Sequence, residues 1–243
     1  MQAEEYVRMH ELEDHYWWFV GRRHVALKLL RKYIAPQKPT VLDLGCGTGV
    51  IARDLSKWAR PIGVDMSELA LNFSHERGLA ELVKARGEWL PVKTASMDAV
   101  LALDIFEHIE DDNAAFREAI RVLKPGGALV MSVPAFKALW GPHDVALMHF
   151  RRYRAPDLKA KLVKAGFSVE RLSYSVFFLF PIVVLVRLFE KKAKGTPQAS
   201  LPKVPKWLNR SLVGLQDAEA GLISGLSLPW GSSVIAVARK PLA

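Results

Sequence analysis

The sequence of 243 residues contains a single cysteine and no apolar run long enough to cross a bilayer. One cysteine excludes an internal disulfide, and because no further cysteines accompany it, we predict neither a metal cluster nor a metal site. The apolar run at residues 176–186 has 11 residues, whereas a transmembrane helix needs about 20. Residues 1–16 are polar and acidic, unlike a secretory signal, and we therefore expect a cytoplasmic protein.

Acidic residues are scarce in one part of the chain only. Residues 151–210 hold 14 lysines and arginines but only three acids, while the whole chain has a net charge of +9. Because the positive charge is confined to one segment, we expect a local anionic partner, not a nucleic acid bound along the whole surface.

The most informative stretch is TVLDLGCGTG at residues 40–49. An apolar run that stops abruptly at glycines predicts a buried parallel strand, a glycine loop and then a helix from Val50. Glycines tolerate positive φ and carry no Cβ, so a ligand can approach the loop backbone and the helix N-terminus. The dinucleotide fingerprint G-x-G-x-x-G requires glycine where Val50 stands, which disfavours a dinucleotide-dependent oxidoreductase.

The observed pattern, Asp43-x-G-x-G-x-G, resembles motif I of the class I S-adenosylmethionine-dependent methyltransferases. That family carries an acid after its second strand to hold both ribose hydroxyls, and Asp65 follows the short apolar run Pro61–Val64. The Lys-Pro-Gly-Gly turn at 124–127 and Phe106-Glu107-His108 are also typical of the family. The resemblance covers about residues 40–172 and the last strand, 232–239.

The resemblance implies an α/β fold with a doubly wound, seven-stranded, mainly parallel sheet of the Rossmann-like methyltransferase type. Its last strand is antiparallel, and here a helical insertion precedes that strand. We divide the chain into an N-terminal helical lid (1–39), the S-adenosylmethionine-binding core (40–174), an apolar and basic helical insertion (175–231) and the last strand of the core (232–243).

The lid segment contains four consecutive aromatic residues beside a basic pair. We predict helices broken at Gly21, with the aromatic rings either packed on the sheet or closed over the ligand. In the second case Arg22 or Arg23 would meet the cofactor's carboxylate.

The family resemblance implies S-adenosylmethionine as the cofactor. The sequence departs from the family at Arg86, where an aspartate usually accepts from the adenine amino group, because arginine has no acceptor. Adenine would instead be held by the backbone of Gly87, by Glu88 and by a stacking Trp89. The predicted cofactor contacts are Asp43, Gly45, Cys46, Gly47, Gly49, Asp65, Met66, Gly87, Glu88, Trp89 and Leu103.

Residues 134–154 form an irregular stretch after the fifth strand, so we expect them to lie over the same edge as the glycine loop. The acceptor side is predicted here, with an alternative reading as a solvated, structurally pinned loop. A base is needed only if the acceptor must lose a proton, and His108 has an equal alternative as a structural histidine. The candidate catalytic residues are His108, His149 and Tyr153, and the candidate substrate-binding residues are Trp140, His143, Arg151 and Arg152.

Taken together, the sequence predicts methyl transfer to a small-molecule, lipid or lipid-linked acceptor, with an anionic group, at or near a membrane. Residues 176–194 would make the peripheral membrane contact, although a buried helix and a subunit contact are alternatives. A nucleic-acid methyltransferase fits the pI of 9.7 but not the missing (D/N)-P-P-(Y/F) motif. A non-catalytic S-adenosylmethionine-binding module would require an occluded acceptor pocket. The acceptor atom and the oligomeric state are left open.

Overall fold

The computed structural model describes residues 3–34, 37–190, 202 and 204–242. Its central element is one seven-stranded sheet. The strands are β1 Thr40–Leu44, β2 Arg60–Asp65, β3 Leu82–Lys84, β4 Met97–Leu103, β5 Leu123–Pro134, β6 Ser168–Ser175 and β7 Ser233–Arg239. The order across the sheet is β3-β2-β1-β4-β5-β7-β6, and β7 is antiparallel to both neighbours. The predicted fold class is therefore confirmed.

Helices cover both faces of this sheet, as expected for strands that follow one another through crossovers. Two 3₁₀ turns, Phe106–His108 and Lys137–Leu139, follow β4 and β5. The helices are α1 Ala3–Leu12, α2 Trp17–Tyr33, α3 Val50–Leu55, α4 Glu68–Glu76, α5 Asp112–Val122, α6 Pro142–Ala146, α7 Ala155–Lys164, α8 Phe180–Glu190 and α9 Lys206–Gly225.

The central strands are apolar on both sides, because successive side chains point to opposite faces. In β4, Val100 and Ala102 belong to a buried cluster with α5 and α7, whereas Ala99 and Leu101 pack with α2, α3 and α9. All four are fully buried. The sequence of β4 is almost continuously apolar because helices cover the sheet on both faces.

The predicted helix break at Gly21 is wrong. The chain breaks at residues 13–16, and α2 passes through Gly21 without interruption. Glycine stands there because α9 packs closely: a Cβ at this position would lie 2.0 Å from the Gln216 Oε1 atom. The predicted turn at residues 124–127 lies within the bounds of β5, where Gly126 has a φ of 76° and the pairing with β4 is irregular between Met97 and Ala99.

The insertion after β6 is divided between core and surface. Helix α9 contributes Ala220 and Ile223 to the buried cluster on the α2 side of the sheet. Helix α8 instead exposes much of its apolar surface, including Ile182 and Leu185. Residues 191–201 and 203 of the insertion lie outside the described residues. No helix in the described part of the chain is long and apolar enough to cross a membrane.

The connectivity also defines where a ligand can bind. From β1 the chain winds outward to β2 and β3, and it then returns to β4 on the other side of β1. Open α/β sheets bind ligands at the carboxyl ends of the strands that flank such a reversal. Those ends are Leu44 and Leu103, directly before the glycine loop and Asp104.

Candidate active site

A cavity of about 1060 Å³ opens at this edge of the sheet, and the last residues of β1, β2, β4 and β5 all line it. We call one end the glycine-loop half and the other end the histidine half. The glycine-loop half is formed by Gly45, Cys46, Gly47, Asp65, Met66, Gly87, Glu88, Leu103 and Asp104. The histidine half is formed by Glu107, His108, His143, His149, Val183 and Arg187.

Two glycines with positive φ, Gly45 at 72° and Gly47 at 55°, shape the loop after β1. L-residues avoid this conformation, so the sequence requirement is a backbone requirement. A Cβ on Gly45 would also lie 2.8 Å from the Ile105 side chain. The N–H of Gly47 donates to Asp65 Oδ2 at 3.0 Å, which ties the loop to the end of β2.

Asp65 is held firmly at the wall of the cavity. Its Oδ1 accepts from the Ser67 N–H at 2.8 Å and from the Tyr6 hydroxyl at 3.3 Å. Each carboxylate oxygen has further lone pairs, so the group can accept from a pair of vicinal hydroxyls as well. Burial, followed by the charge of Asp65, raises the pKa of Tyr6 above its usual range, so this hydroxyl stays protonated.

Helix α1 lies over the glycine loop. Tyr6 and Met9 line the cavity, and a Cβ on Gly47 would lie 2.7 Å from Met9 Cε. The turn after α1 is anchored by Glu13, whose carboxylate accepts from the Thr48 hydroxyl and from Arg77 Nη2, the latter at 2.9 Å. Burial raises the pKa of Glu13 to about 7. Helix α1 thus lies where the predicted lid would have to be, and its action as a lid stays a prediction.

Three predicted cofactor residues do not line the cavity. Trp89 is 84% exposed, because it ends a tight turn that turns its ring to solvent, so the stacking prediction is wrong. Gly49 instead accommodates α4, since a Cβ there would lie 2.7 Å from Ser74 Oγ. Asp43 is buried, and burial, followed by Asp65 and Glu13, raises its pKa to about 7.

The buried carboxylate of Asp144 organises the histidine half. It accepts from Arg152 Nε at 2.7 Å and from Arg152 Nη2 at 2.9 Å, from the Gly141 N–H at 2.9 Å, and it pairs with His149 Nδ1 at 3.0 Å. Burial alone would raise the pKa of Asp144, but the hydrogen bonds from His149 and Arg152 hold it well below its usual range. The irregular stretch after β5 is therefore built around one carboxylate, which the sequence analysis did not single out.

The predicted anion-binding arginines are engaged elsewhere. Arg152 lines the cavity, but its guanidinium is held by Asp144 and by the Ala135 carbonyl at 3.0 Å. Arg151 lies outside the cavity and binds the Glu110 carbonyl at 2.6 Å and Asp112 at 3.0 Å. Acceptors of the protein itself already bind the guanidinium groups of Arg151 and Arg152. This geometry therefore does not support the prediction that either of them binds substrate.

Two further predicted residues lie away from the cavity lining. The Tyr153 hydroxyl is buried and donates to Asp112 Oδ2 at 2.8 Å, and burial followed by Asp112 raises its pKa far above its usual range. Tyr153 is therefore a structural residue and not a base. Trp140 is half-buried and also lies outside the lining.

The remaining predicted residues, His108, His143 and His149, do come together. The rings of His108 and His149 are perpendicular, with centroids 4.6 Å apart, and His143 lies 6.5 Å from His149. Burial, followed by His149, lowers the pKa of His108 to about 3, and burial with Arg187 lowers that of His143 to about 3. Both imidazoles are therefore neutral near pH 7 and carry a lone pair.

Comparison with known proteins identifies the fold and the family. A family model described as a methyltransferase domain matches residues 42–131. An uncharacterized methyltransferase of Mycobacteroides abscessus is 31% identical over 183 residues, which span 72% of this chain and 69% of that protein. The chain belongs to the S-adenosylmethionine-dependent methyltransferase family.

Two other similarities agree with this assignment. The "Probable S-adenosylmethionine-dependent methyltransferase" of Mycolicibacterium smegmatis is 34% identical over 165 residues, 65% of this methyltransferase chain and 62% of that protein. The chain thus spans somewhat less than two thirds of that curated relative. The structure of a Haloferax volcanii methyltransferase in complex with the Trm112 activator shares the fold, with a TM-score of 0.64, 19% identity and coverage of 99% and 95% of the two chains.

The glycine-loop half of this methyltransferase fits the cofactor of its family. S-Adenosylmethionine ends in an amino acid, with an ammonium and a carboxylate, and Arg22 and Asp104 offer the complementary pair in the cavity wall. Ser132 Oγ lies between them, 3.3 Å from Arg22 Nη2 and 3.2 Å from Asp104 Oδ1. Burial lowers the pKa of Arg22 to about 10, so it remains charged. Of the two arginines that the sequence offered, Arg23 instead pairs with Asp54 at 3.0 Å.

Asp104 lies in the glycine-loop half but was not among the predicted cofactor contacts. It follows β4 directly and has a φ of 48°, a conformation that Asp and Asn adopt more readily than most residues. The signal available from sequence was an acid at the carboxyl end of a central strand, next to the glycine loop.

Proposed function

We propose that this protein transfers a methyl group from S-adenosylmethionine to a small-molecule, lipid or lipid-linked acceptor that it meets at a membrane surface. One observation carries the proposal. A single cavity joins the glycine-loop half to the histidine half, and the wall of the histidine half includes helix α8, whose other side is exposed and apolar. At about 1060 Å³ the cavity has room for a cofactor and an acceptor together.

The residues present support alignment more than chemical activation. When bound, S-adenosylmethionine supplies a methyl group that is already activated, so the protein mainly has to hold the acceptor in line with it and exclude water. Asp65 and the Arg22–Asp104 pair would fix the two ends of the cofactor. His108 lines the cavity, but a pKa of about 3 makes its imidazole a weak base near pH 7, so proton removal does not rest on it.

Helix α8 supports the lipid or lipid-linked acceptor. Val183 and Arg187 face the cavity, whereas Ile182, Leu185 and Leu188 are between 54% and 58% exposed. Exposed apolar surface of this kind usually marks an interaction site, and an apolar helix face with basic flanks suits the interface of an anionic membrane. The excess of lysine and arginine in residues 151–210 supplies the basic flank.

The loop of the histidine half also exposes apolar side chains. Met148 and Phe150 both line the cavity and are 58% and 53% exposed. A lipid tail lying on this surface would place its head group at the cavity mouth, next to Arg187 and His143. Arg187 lines the cavity on the same helix, and it is our candidate for contact with an anionic group on the acceptor.

The membrane contact is tested by sedimentation with vesicles of phosphatidylcholine alone or mixed with phosphatidylglycerol. Burying Leu185 contributes roughly 1.5–3 kcal/mol, so Leu185→Glu is expected to weaken binding to the anionic vesicles at least tenfold. The matched control is Val163→Glu on α7, which places the same charge on another exposed apolar residue. Equal binding by the wild type and both variants would contradict the membrane contact.

The acceptor class is tested with the methyl-labelled cofactor. Incubation with a lipid extract, and separately with an aqueous metabolite extract, is followed by partition of the label between organic and aqueous phases. We expect label in the organic phase, and less of it with Leu185→Glu. Label found only in the aqueous phase would still demonstrate methyl transfer, but it would contradict the proposal of a lipid acceptor.

A further inference from the structure

The structure brings together three potential metal ligands that are separated in sequence. Glu107 and His108 lie in the 3₁₀ turn after β4, and His149 follows α6. One ligand atom from each lies within 4.8 Å of the others, and all three residues line the cavity. The single cysteine led us to predict no metal site, but the fold assembles a different set of ligand types.

We propose that Glu107, His108 and His149 bind a divalent transition-metal ion of the zinc type, with its open coordination positions facing the acceptor. This proposal deepens the proposed function, on which its catalytic part rests; the binding of the ion itself does not depend on it.

The carboxylate of Glu107 is fully buried, and neither of its oxygens has a hydrogen-bond partner among the described residues. Buried polar groups are nearly always paired, and an unpaired buried carboxylate is among the most costly groups in a protein. The two nearby arginines have other partners: Arg22 pairs with Asp104, and Arg152 is held by Asp144. A cation bound beside Glu107 would supply what both oxygens lack.

Both histidines contact groups outside the cluster. His149 Nδ1 pairs with Asp144 Oδ1 at 3.0 Å, which leaves Nε2 for a metal. The Leu147 backbone lies beside the His108 ring and favours its protonated form, an effect that burial outweighs. Histidines that ligate metals are usually held in this way, by a carboxylate or a carbonyl on the second ring nitrogen.

The donor set fits a catalytic type of metal site. Two imidazole nitrogens and one carboxylate suit zinc and its neighbours, whereas magnesium and calcium prefer oxygen ligands alone. Three protein ligands leave at least one position open, and the cavity makes that position accessible. The acceptor would then present an oxygen, because a divalent metal ion binds a hydroxyl and promotes loss of its proton.

The reaction this implies is methylation at oxygen. The acceptor hydroxyl releases its proton to solvent, and its oxygen forms the new bond to the methyl carbon. The carbon–sulfur bond breaks at the same time, and its electron pair stays on sulfur. The products are a methyl ether, the demethylated thioether cofactor and a proton, so atoms and charge balance without any further reactant.

The test is titration of the untagged, chelator-treated full-length protein with Co²⁺, followed by visible absorption, and with Zn²⁺, followed by calorimetry. We expect one ion per chain with a coordinated Co²⁺ spectrum. Glu107→Gln, which preserves size, is expected to weaken binding by ~100-fold, while Glu110→Gln, three residues further along the same wall, leaves it unchanged. His108→Gln is the second variant, should the first fold poorly.

Thermal unfolding with and without Zn²⁺ provides an independent readout, since an ion that binds only the folded state raises the Tm. No stoichiometric binding by the wild type, or equal affinity in Glu107→Gln and the wild type, would overturn the site. Binding of the ion together with undiminished methyl transfer after chelation would overturn its catalytic role. Failure of S-adenosylmethionine to bind would instead overturn the proposed function and leave the metal titration interpretable.

Discussion

The two halves of the cavity are built in different ways. The glycine-loop half depends on backbone conformation, at Gly45 and Gly47, and on Asp65 at the end of a strand. The histidine half depends on side chains, and above all on Asp144, which holds an arginine, a histidine and a backbone N–H. The conformation of the backbone is determined largely by the local sequence, whereas a network of side chains depends on which residues the fold brings together.

The largest effect should therefore follow from Asp144→Asn. Removing this charge leaves Arg152 buried without its partner, which costs roughly 3–5 kcal/mol. We expect the Tm to fall by roughly 10 °C, while any S-adenosylmethionine binding measured well below that Tm stays near the wild-type value. Asp157→Asn, at an exposed position on α7, is the control. A shift of less than 2 °C would show that the histidine half does not depend on this carboxylate.

The glycine-loop half should respond to pH through Asp43. Its pKa is about 7 in the folded state, above the unfolded value of about 3.9, so the folded state retains the proton longer. The stability contributed by the protonated form is complete below pH 4 and is lost as the pH rises from about 4 to about 7, by roughly 4 kcal/mol in all and about 3 kcal/mol of it above pH 5. Comparison of unfolding free energies at pH 5 and pH 8 should show a smaller decrease for Asp43→Asn than for the wild type. Identical decreases would mean that Asp43 is not the buried acid responsible.

A smaller effect is expected at the base of α8. The carboxylate of Glu219 accepts from the N–H groups of Val176, Phe177 and Phe178 at 2.5, 2.8 and 3.4 Å. Glu219→Ala leaves these donors unpaired, at about 2 kcal/mol, and should lower the Tm by about 5 °C and weaken vesicle binding. Asp217→Asn, exposed on the same helix, should do neither. Unchanged vesicle binding by a destabilised Glu219→Ala would separate α8 from the membrane contact.

The smallest effect on stability is expected at the N-terminus of helix α4. Ser67 is the N-cap of α4, and its Oγ accepts from the Ala70 N–H at 3.3 Å. Ser67→Ala should cost about 1 kcal/mol, or about 3 °C in Tm, as measured by thermal unfolding against Glu68→Gln. A loss larger than that of Glu219→Ala would reverse the ranking of local and long-range contributions.

This ranking explains how much was predictable. The first strand, the glycine loop and the sheet type follow from patterns within a few residues, and the structure confirms them. Trp89 is exposed by its own tight turn, whereas the roles expected for Arg152 and Tyr153 did not allow for their partners Asp144 and Asp112, which only the fold brings to them. Gly21 suggested a helix break for the same reason: the need for a glycine comes from α9, about 200 residues later.

The histidines illustrate both outcomes in one place. The sequence indicated His108 and His149 as candidate bases and His143 as a substrate contact, because they follow strands that end at one edge. It did not identify Glu107 as their companion, since nothing local shows that its carboxylate is buried without a partner. Burial and pairing are properties of the folded chain, and they are the observations that suggest a metal ion there.

The most direct test of the central claim is calorimetric titration of the purified protein with S-adenosylmethionine, in the wild type and in Asp65→Asn, with Glu68→Gln as the control. The account predicts binding on the order of micromolar, weakened by ~100-fold in Asp65→Asn, because the carboxylate no longer accepts from both ribose hydroxyls, and unchanged in the control. Absence of binding by the wild type, or equal binding by all three proteins, would contradict it.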